Sequence, residues 1–193
     1  MVTPLLPSVE FAYLIGVIAG DGCITRAGRV FKLEISCDAA YPELITTFQN
    51  LVEKLTGLRV GVYKVKRKNC FRVVANSATL PTLLGLPPGA KSKNGFAIPD
   101  WIFESVDCVK AFAKGLIETD GTVARVHRHG GWYWHVHFSA SNAVIMSSFL
   151  RATEILGYTF QVNGPKAYLS NTPLTKQLIA DLGITKLKAY VYP

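Results

Sequence analysis

Two stretches of the chain follow one pattern. Tyr13-Leu14-Ile15-Gly16-Val17-Ile18-Ala19-Gly20-Asp21-Gly22 returns as Phe112-Ala113-Lys114-Gly115-Leu116-Ile117-Glu118-Thr119-Asp120-Gly121. Gly, Ile, Asp and Gly recur at identical spacing, 99 residues apart in a chain of 193. A repeat of that period describes two similar folded halves, because a solenoid needs at least three units to bury its faces.

The flanking sequence repeats as well. After Gly22, a β-prone run (23–26), a turn at Gly28 and the alternating Phe31, Leu33 and Ile35 read as a hairpin with one apolar face. Pro42 opens a helix through Leu44, Ile45, Phe48, Leu51, Val52 and Leu55, and Gly57 stops it. A second hairpin spans 60–66 and 70–75, and a short helix from Ser77 or Thr79 ends near Gly85. The second half pairs 122–128 with 132–139 and starts a helix at the natural N-cap Asn142. It then turns a hairpin at Asn163-Gly164 and opens a last helix at Thr172-Pro173. The expectation is an α+β protein of two pseudo-symmetric αββαββα halves packed through the repeated helices. Its antiparallel sheets would form a saddle. The expected boundaries are 1–86 for the first half, 87–100 for a Pro-, Gly- and Lys-rich linker, and 101–193 for the second half.

The repeated segment carries its own physics. Gly16 and Gly20, like Gly115 and Thr119, are small residues one helical turn apart on one face, so two such helices can approach backbone to backbone. Packed in this way, they bring Asp21 and Asp120 together at their C-terminal ends, where Gly22 and Gly121 release the chain from the helix by taking backbone angles that other residues resist. Two carboxylates at the negative ends of two helix dipoles repel each other. A hard divalent cation would relieve that repulsion, with unpaired helix carbonyls as further oxygen ligands. Mg2+ fits, with Mn2+ or Ca2+ substituting for binding, and metal-assisted hydrolysis of a phosphodiester is the reaction such a site suggests.

Charge points the same way. The chain holds 21 Lys+Arg against 13 Asp+Glu, a net charge of +8, yet 49% of its residues are hydrophobic. That excludes a disordered basic tail and describes a folded body facing a polyanion. Residues 1–99 carry 12 Lys+Arg and 6 Asp+Glu, and residues 100–193 carry 9 and 7, so the positive surface concentrates in the first half. That half is expected to supply more of the salt-dependent affinity for nucleic acid. The longest apolar run, 11–20, is about half the roughly 20 residues a membrane span needs. No signal-peptide pattern precedes it. Four scattered cysteines without a C-x-x-C pair argue against zinc ribbons and disulfide frameworks, so a reduced, cytoplasmic setting is expected.

The two motifs, with the αββαββα pattern each opens, resemble the LAGLIDADG signature of homing endonucleases, and most closely the compact single-chain, intron-encoded type frequent in archaea. The resemblance covers nearly the whole chain. It implies a monomeric, site-specific endonuclease that binds double-stranded DNA, cuts both strands of a long asymmetric target and leaves short 3′ overhangs. It implies metal at Asp21 and Asp120, joined by the carbonyls of Gly20 and Thr119, with Gly16, Gly20, Gly115 and Thr119 at the helix interface. An RNA-binding intron maturase and a non-cutting DNA-binding regulator are alternatives on the same fold. Two departures stand out. Members of the family often carry Gln or Lys just after the second strand of each half, where this chain has Ser36-Cys37-Asp38 and Ser139-Ala140-Ser141, so basic residues must reach the site from elsewhere. The motifs also differ at Ala19 against Glu118, which would make the two metal sites unequal.

Strand alternation nominates the DNA-facing side chains. In the first half these are Lys32, Glu34 and Arg72, with Lys64, Lys66 and Arg67 from the second hairpin. In the second half, Trp132, Trp134, Val136 and Phe138 point inward and Tyr133, His135 and His137 outward. Thr159, Gln161, Asn163, Lys166 and Tyr168 extend that face, and Arg125 and Arg128 are further candidate contacts. All four histidines fall between His127 and His137. Base or phosphate contact, or simple solvent exposure, is preferred for them over a zinc site, since no Cys or acid lies nearby.

Overall fold

The computed structural model describes residues 3–91, 96–128 and 130–191. The first half contains α1 (Val9–Ala19), β1 (Gly22–Ala27), β2 (Val30–Asp38), α2 (Pro42–Thr56), β3 (Val60–Lys64), β4 (Cys70–Ser77) and α3 (Leu80–Leu84). A 3₁₀ turn at Asp100–Glu104 leads into α4 (Val106–Thr119). Then follow β5 (Gly121–Arg128), β6 (Gly131–Ser139), α5 (Ala143–Ile155), β7 (Gln161–Asn163), β8 (Lys166–Leu169), α6 (Thr172–Leu182) and β9 (Lys188–Val191). The expected α+β order is present in both halves. No described helix is long and apolar enough to cross a membrane.

α1 and α4 pack against each other at the centre. Buried residues of α1 run almost unbroken from Phe11 to Ala19, as a helix covered on all sides requires. The approach is backbone to backbone. A Cβ on Gly16 would collide with the Phe112 carbonyl of α4, and one on Gly115 would stand 2.6 Å from the Tyr13 carbonyl oxygen. A Cβ on Gly20 would strike the Thr119 side chain. Around this pair, one continuous core gathers Phe48 and Val52 of α2, Leu33 and Ile35 of β2, Phe138 of β6 and Phe149 of α5.

Local chemistry explains the ends of the elements. Ser8 accepts from Phe11 N at 3.1 Å at the start of α1. Asn142 caps α5, accepting from Val144 N at 2.9 Å. Asn171, one residue before the expected opening at Thr172, caps α6. Gly85 and Gly183 end α3 and α6 in the left-handed region, at φ 63° and 58°, where a side chain would be strained.

The first sheet has the antiparallel order β1-β2-β4-β3. The second has five strands, β7-β8-β6-β5-β9, one more than the expected half. The extra strand, β9, pairs in parallel with β5, from Ala124↔Lys188 to His127↔Val191. The corresponding edge of the first sheet is β1, where linker residue Gly89 donates to the Ile24 carbonyl at 2.7 Å. In both halves, then, the segment after the third helix returns along the first strand.

Gly22 and Gly121 play a different part from the one expected. Neither has a positive φ. A Cβ on Gly22 would lie 2.5 Å from Ile18 Cα, and one on Gly121 2.5 Å from the Ile117 carbonyl oxygen. They are glycine because the strand leaves too close to its own helix for a side chain.

Candidate metal centre and nucleic-acid face

Asp120 follows directly on the C-terminal end of α4 and Asp21 follows α1 after its cap Gly20, and the packing of Gly16 on Gly115 makes the two neighbours. Burial pushes the Asp120 carboxyl up, the charge of Asp21 adds to this, and the result is about 6 despite opposition from Lys91 and Lys186. Burial also raises Asp21, against Lys186 and Lys91. Both carboxylates therefore hold their charge at a cost that burial sets first, with the charge of Asp21 adding to it at Asp120.

Two lysines that pattern reading does not nominate stand at this point. Lys91 Nζ donates to the carbonyls of Ala19 and Gly20, at 2.6 and 2.5 Å. Lys186 Nζ donates to the Thr119 carbonyl at 2.6 Å. Each follows the third helix of its half: Lys91 in the linker held to β1 by Gly89, and Lys186 two residues before β9. They are the basic residues that reach the site from elsewhere. A signal for them does exist in the sequence. Leu84-Gly85-Leu86 precedes Lys91-Ser92-Lys93, and Leu182-Gly183-Ile184 precedes Lys186-Leu187-Lys188.

The two positions cross the halves. A 340 Å³ cavity is lined by Gly20, Lys91 and Asp120, together with Ser141 and Asn142. A 40 Å³ cavity is lined by Asp21, Lys186, Ser36 and Tyr41. Each carboxylate thus shares a cavity with the lysine that sits on the other half's motif helix. The oxygens gathered here are carboxylate and carbonyl, the hard donors that Mg2+, Mn2+ and Ca2+ take. The ammonium groups on those carbonyls mark places where the local field favours a cation. The site therefore fits a divalent metal. No group of three or more His, Cys, Asp and Glu side chains suited to a metal occurs among the described residues.

Glu118, which stands where the first motif has Ala19, also lines the smaller cavity with Asp21 and Lys186, but its carboxylate is taken up by protein donors. It is buried and accepts from Tyr13 Oη at 2.5 Å and from both the N–H and hydroxyl of Thr185 at 3.2 Å. Lys114 stands 4.0 Å away on the same helix.

Register defines the outer face of each sheet, because cross-strand partners point the same way. In the first sheet, Lys32 is opposite Asn76, Glu34 opposite Val74, and Arg72 between Ser36 and Tyr63. Glu34 accepts from Lys32 at 2.9 Å and from Arg72 at 3.0 Å. Burial raises its carboxyl, but Lys32 and then Arg72 outweigh this and hold it below the usual carboxylate range. Lys64, at the end of β3, is opposite Phe71 on the side of buried Val73, yet it is exposed and lines a groove with Lys32, Glu34 and Arg72, while Tyr63 is the β3 neighbour of Arg72. Lys66 and Arg67 lie in the β3–β4 turn, with Arg67 at φ 62°.

In the second sheet, His137 is opposite Tyr168, and the two rings stack at 4.7 Å and 2°. Ser139 is opposite Lys166, Gln161 opposite Tyr168, and Tyr133 and His135 share this face. Thr159 precedes β7. Arg125 requires a correction. It is opposite Trp134, and its guanidinium lies 4.0 Å over the Trp132 ring, on the face that carries Val136 and Phe138. That places it behind the sheet, away from His135. Trp132 itself is 39% exposed, because the hairpin outruns the core its inner face was expected to join. His127 also lies behind the sheet, opposite Trp132, so the histidines are split between two faces. The Arg128 side chain and His129 lie outside the described residues.

No family model matches the chain, and no curated protein matches it in sequence. Solved structures do match. Mesophilic variants of the homing endonuclease I-DmoI superpose with a TM-score of 0.59 at 13% identity, covering 90% of this chain and 94% of theirs. I-DmoI in complex with DNA and Mn gives 0.57 at 14% identity, over 90% and 96%. The N-terminal LAGLIDADG domain of DUF199/WhiA gives 0.60 at 15% identity, over 93% and 86%. Likeness at such identities speaks for architecture, and the chain has the α+β LAGLIDADG fold.

Proposed function

We propose that the chain is a divalent-metal-dependent, site-specific DNA endonuclease of the compact two-motif intron-encoded type, cutting both strands of a long asymmetric duplex to leave short 3′ overhangs. The observation that carries the reading is the pairing of Asp21 with Asp120 at two abutting helix ends, each beside a lysine. Superposition on I-DmoI, solved with DNA and Mn and with DNA and Ca, supports it at the level of fold.

Duplex DNA would lie across the outer faces of both sheets. Lys32 and Arg72 offer charge on one side, and Tyr133, His135, Gln161, Lys166 and Tyr168 offer hydrogen bonds and stacking on the other. Asp21, Asp120 and the carbonyls of Gly20 and Thr119 would hold Mg2+. A cation there supplies Lewis-acid activation of water and neutralises charge building on the phosphate. Lys91 and Lys186, next to that position, would face the phosphate oxygens and offset their charge. The protein would act as a monomer, since one chain already carries both halves of the site.

Incubation with duplexes spanning intron-less insertion sites in Mg2+ tests this reading. Double-strand cleavage is expected, and it should vanish in Asp21→Asn and Asp120→Asn while duplex binding persists. Full activity in either variant would refute the assignment. The seating of both ammonium groups on the expected ligand carbonyls favours a second reading, a DNA-binding protein on this fold that does not cut. Tight duplex binding without cleavage at any correct site would select it.

A further inference from the structure

The two lysines occupy the same atoms that a divalent ion would use. Lys91 Nζ sits on the Gly20 carbonyl and Lys186 Nζ on the Thr119 carbonyl. Each is attracted by both carboxylates. A dication on either oxygen would lie a few ångströms from the ammonium already there, and two cations at that separation repel. The side chains are long and unbranched, so an ammonium can leave without disturbing the backbone. The 340 Å³ cavity beside Lys91 gives it somewhere to go.

We propose that Lys91 and Lys186 are internal counter-ions that hold the paired-aspartate cleft together in the metal-free protein, and that divalent metal binds by displacing them from the Gly20 and Thr119 carbonyls. The proposal rests on the metal site of the preceding section and adds a state to it. Without metal, the ammonium groups satisfy the helix ends and screen Asp21 from Asp120. With metal, they are released toward the open side of the cleft, where a phosphate would lie. Metal and DNA then favour each other: metal frees the lysines for phosphate, and phosphate holds them off the carbonyls. The linkage is reciprocal, as any coupling between two binding events must be.

Ca2+ titration of the DNA-free protein tests this at one fixed pH, followed in two ways. In calorimetry, Lys91→Met and the double variant Lys91→Met/Lys186→Met should bind Ca2+ more tightly than wild type, by a factor of about 5 to 150. In wild-type NMR spectra tuned to lysine ammonium groups, the Lys91 and Lys186 signals should be slowed in exchange without Ca2+ and lost as it saturates. The NMR arm does not depend on the variants folding, and it separates displacement from a general charge effect. Ca2+ binding with both ammonium signals unchanged would overturn the displacement and leave the metal site standing. Absence of Ca2+ binding by wild type and double variant alike would overturn both.

Discussion

The Glu118 carboxylate is hydrogen-bonded to the N–H and hydroxyl of Thr185, 3.2 Å each, and so pins the residue that precedes Lys186 to the end of α4. The same carboxylate takes the Tyr13 hydroxyl of α1. One buried acid thus joins both motif helices and the strand of chain that brings a cation to the site.

Replacing that acid should loosen all three. Glu118→Ala strands the Tyr13 hydroxyl and the Thr185 donors, and a loss on the order of 3 kcal/mol is expected from unsatisfied partners of a buried charge. Urea unfolding of the metal-free protein measures it. A variant within about 0.5 kcal/mol of wild type, the range of an ordinary surface change, would show that the acid holds nothing together.

The helix interface makes a steric prediction. Gly16→Ala places a methyl group against the Phe112 carbonyl and 3.2 Å from Gly115 Cα, both backbone atoms that cannot turn aside. Helix propensity alone would favour Ala by roughly 1 kcal/mol. Overpacking of about 1–3 kcal/mol or more should win, because α1 cannot move without disturbing the core on its other sides. A melting temperature at or above wild type would show that the helices have room to part.

The residues of the site differ in how far the sequence foretells them. Gly16 is legible because the small-residue spacing repeats in Gly115, and local periodicity likewise indicates the helices, hairpins and Asn142 cap. Lys91 and Lys186 are not nominated, because a polar linker and a chain end read as solvated segments. Only the shared Leu-Gly-aliphatic prelude links them. Parallel pairing of β9 with β5 joins distant segments, and no local pattern encodes it. Faces are fragile for another reason: sheet periodicity is two, so one residue of register decides that Tyr63, and not Lys64, stands opposite Arg72.

The carboxyl pair predicts a pH dependence in metal-free protein. Asp120 is raised from 3.8 to about 6, chiefly by burial and then by Asp21. An unfolded Asp titrates near about 3.9, so between roughly pH 4 and pH 6 the folded chain binds more protons than the unfolded one. Stability from this group is therefore fullest below that window and falls as pH rises through it. Asp21, raised by burial, adds in the same direction. Asp120→Asn should flatten the fall, read as the difference in urea midpoint between pH 4 and pH 7. Parallel curves for variant and wild type would remove Asp120 as its source.

The two arginines on opposite sides of their sheets supply a matched test of the nucleic-acid face. Arg72 stands on the outer face, its guanidinium aligned by Glu34 at 3.0 Å. Arg125 lies behind the second sheet, spent on the Trp132 ring. If duplex DNA rides on the outer faces, Arg72→Ala loses a phosphate or base-edge partner and Arg125→Ala loses none. Fluorescence anisotropy with a labelled duplex at several salt concentrations reads both. Arg72→Ala should weaken binding and lower the slope of log K against log salt by about 1. Arg125→Ala should leave slope and affinity near wild type, while Trp132 emission changes as its stacked cation goes. The reverse pattern, with Arg125 carrying the salt dependence, would move DNA to the helix side of the sheet and undo the saddle.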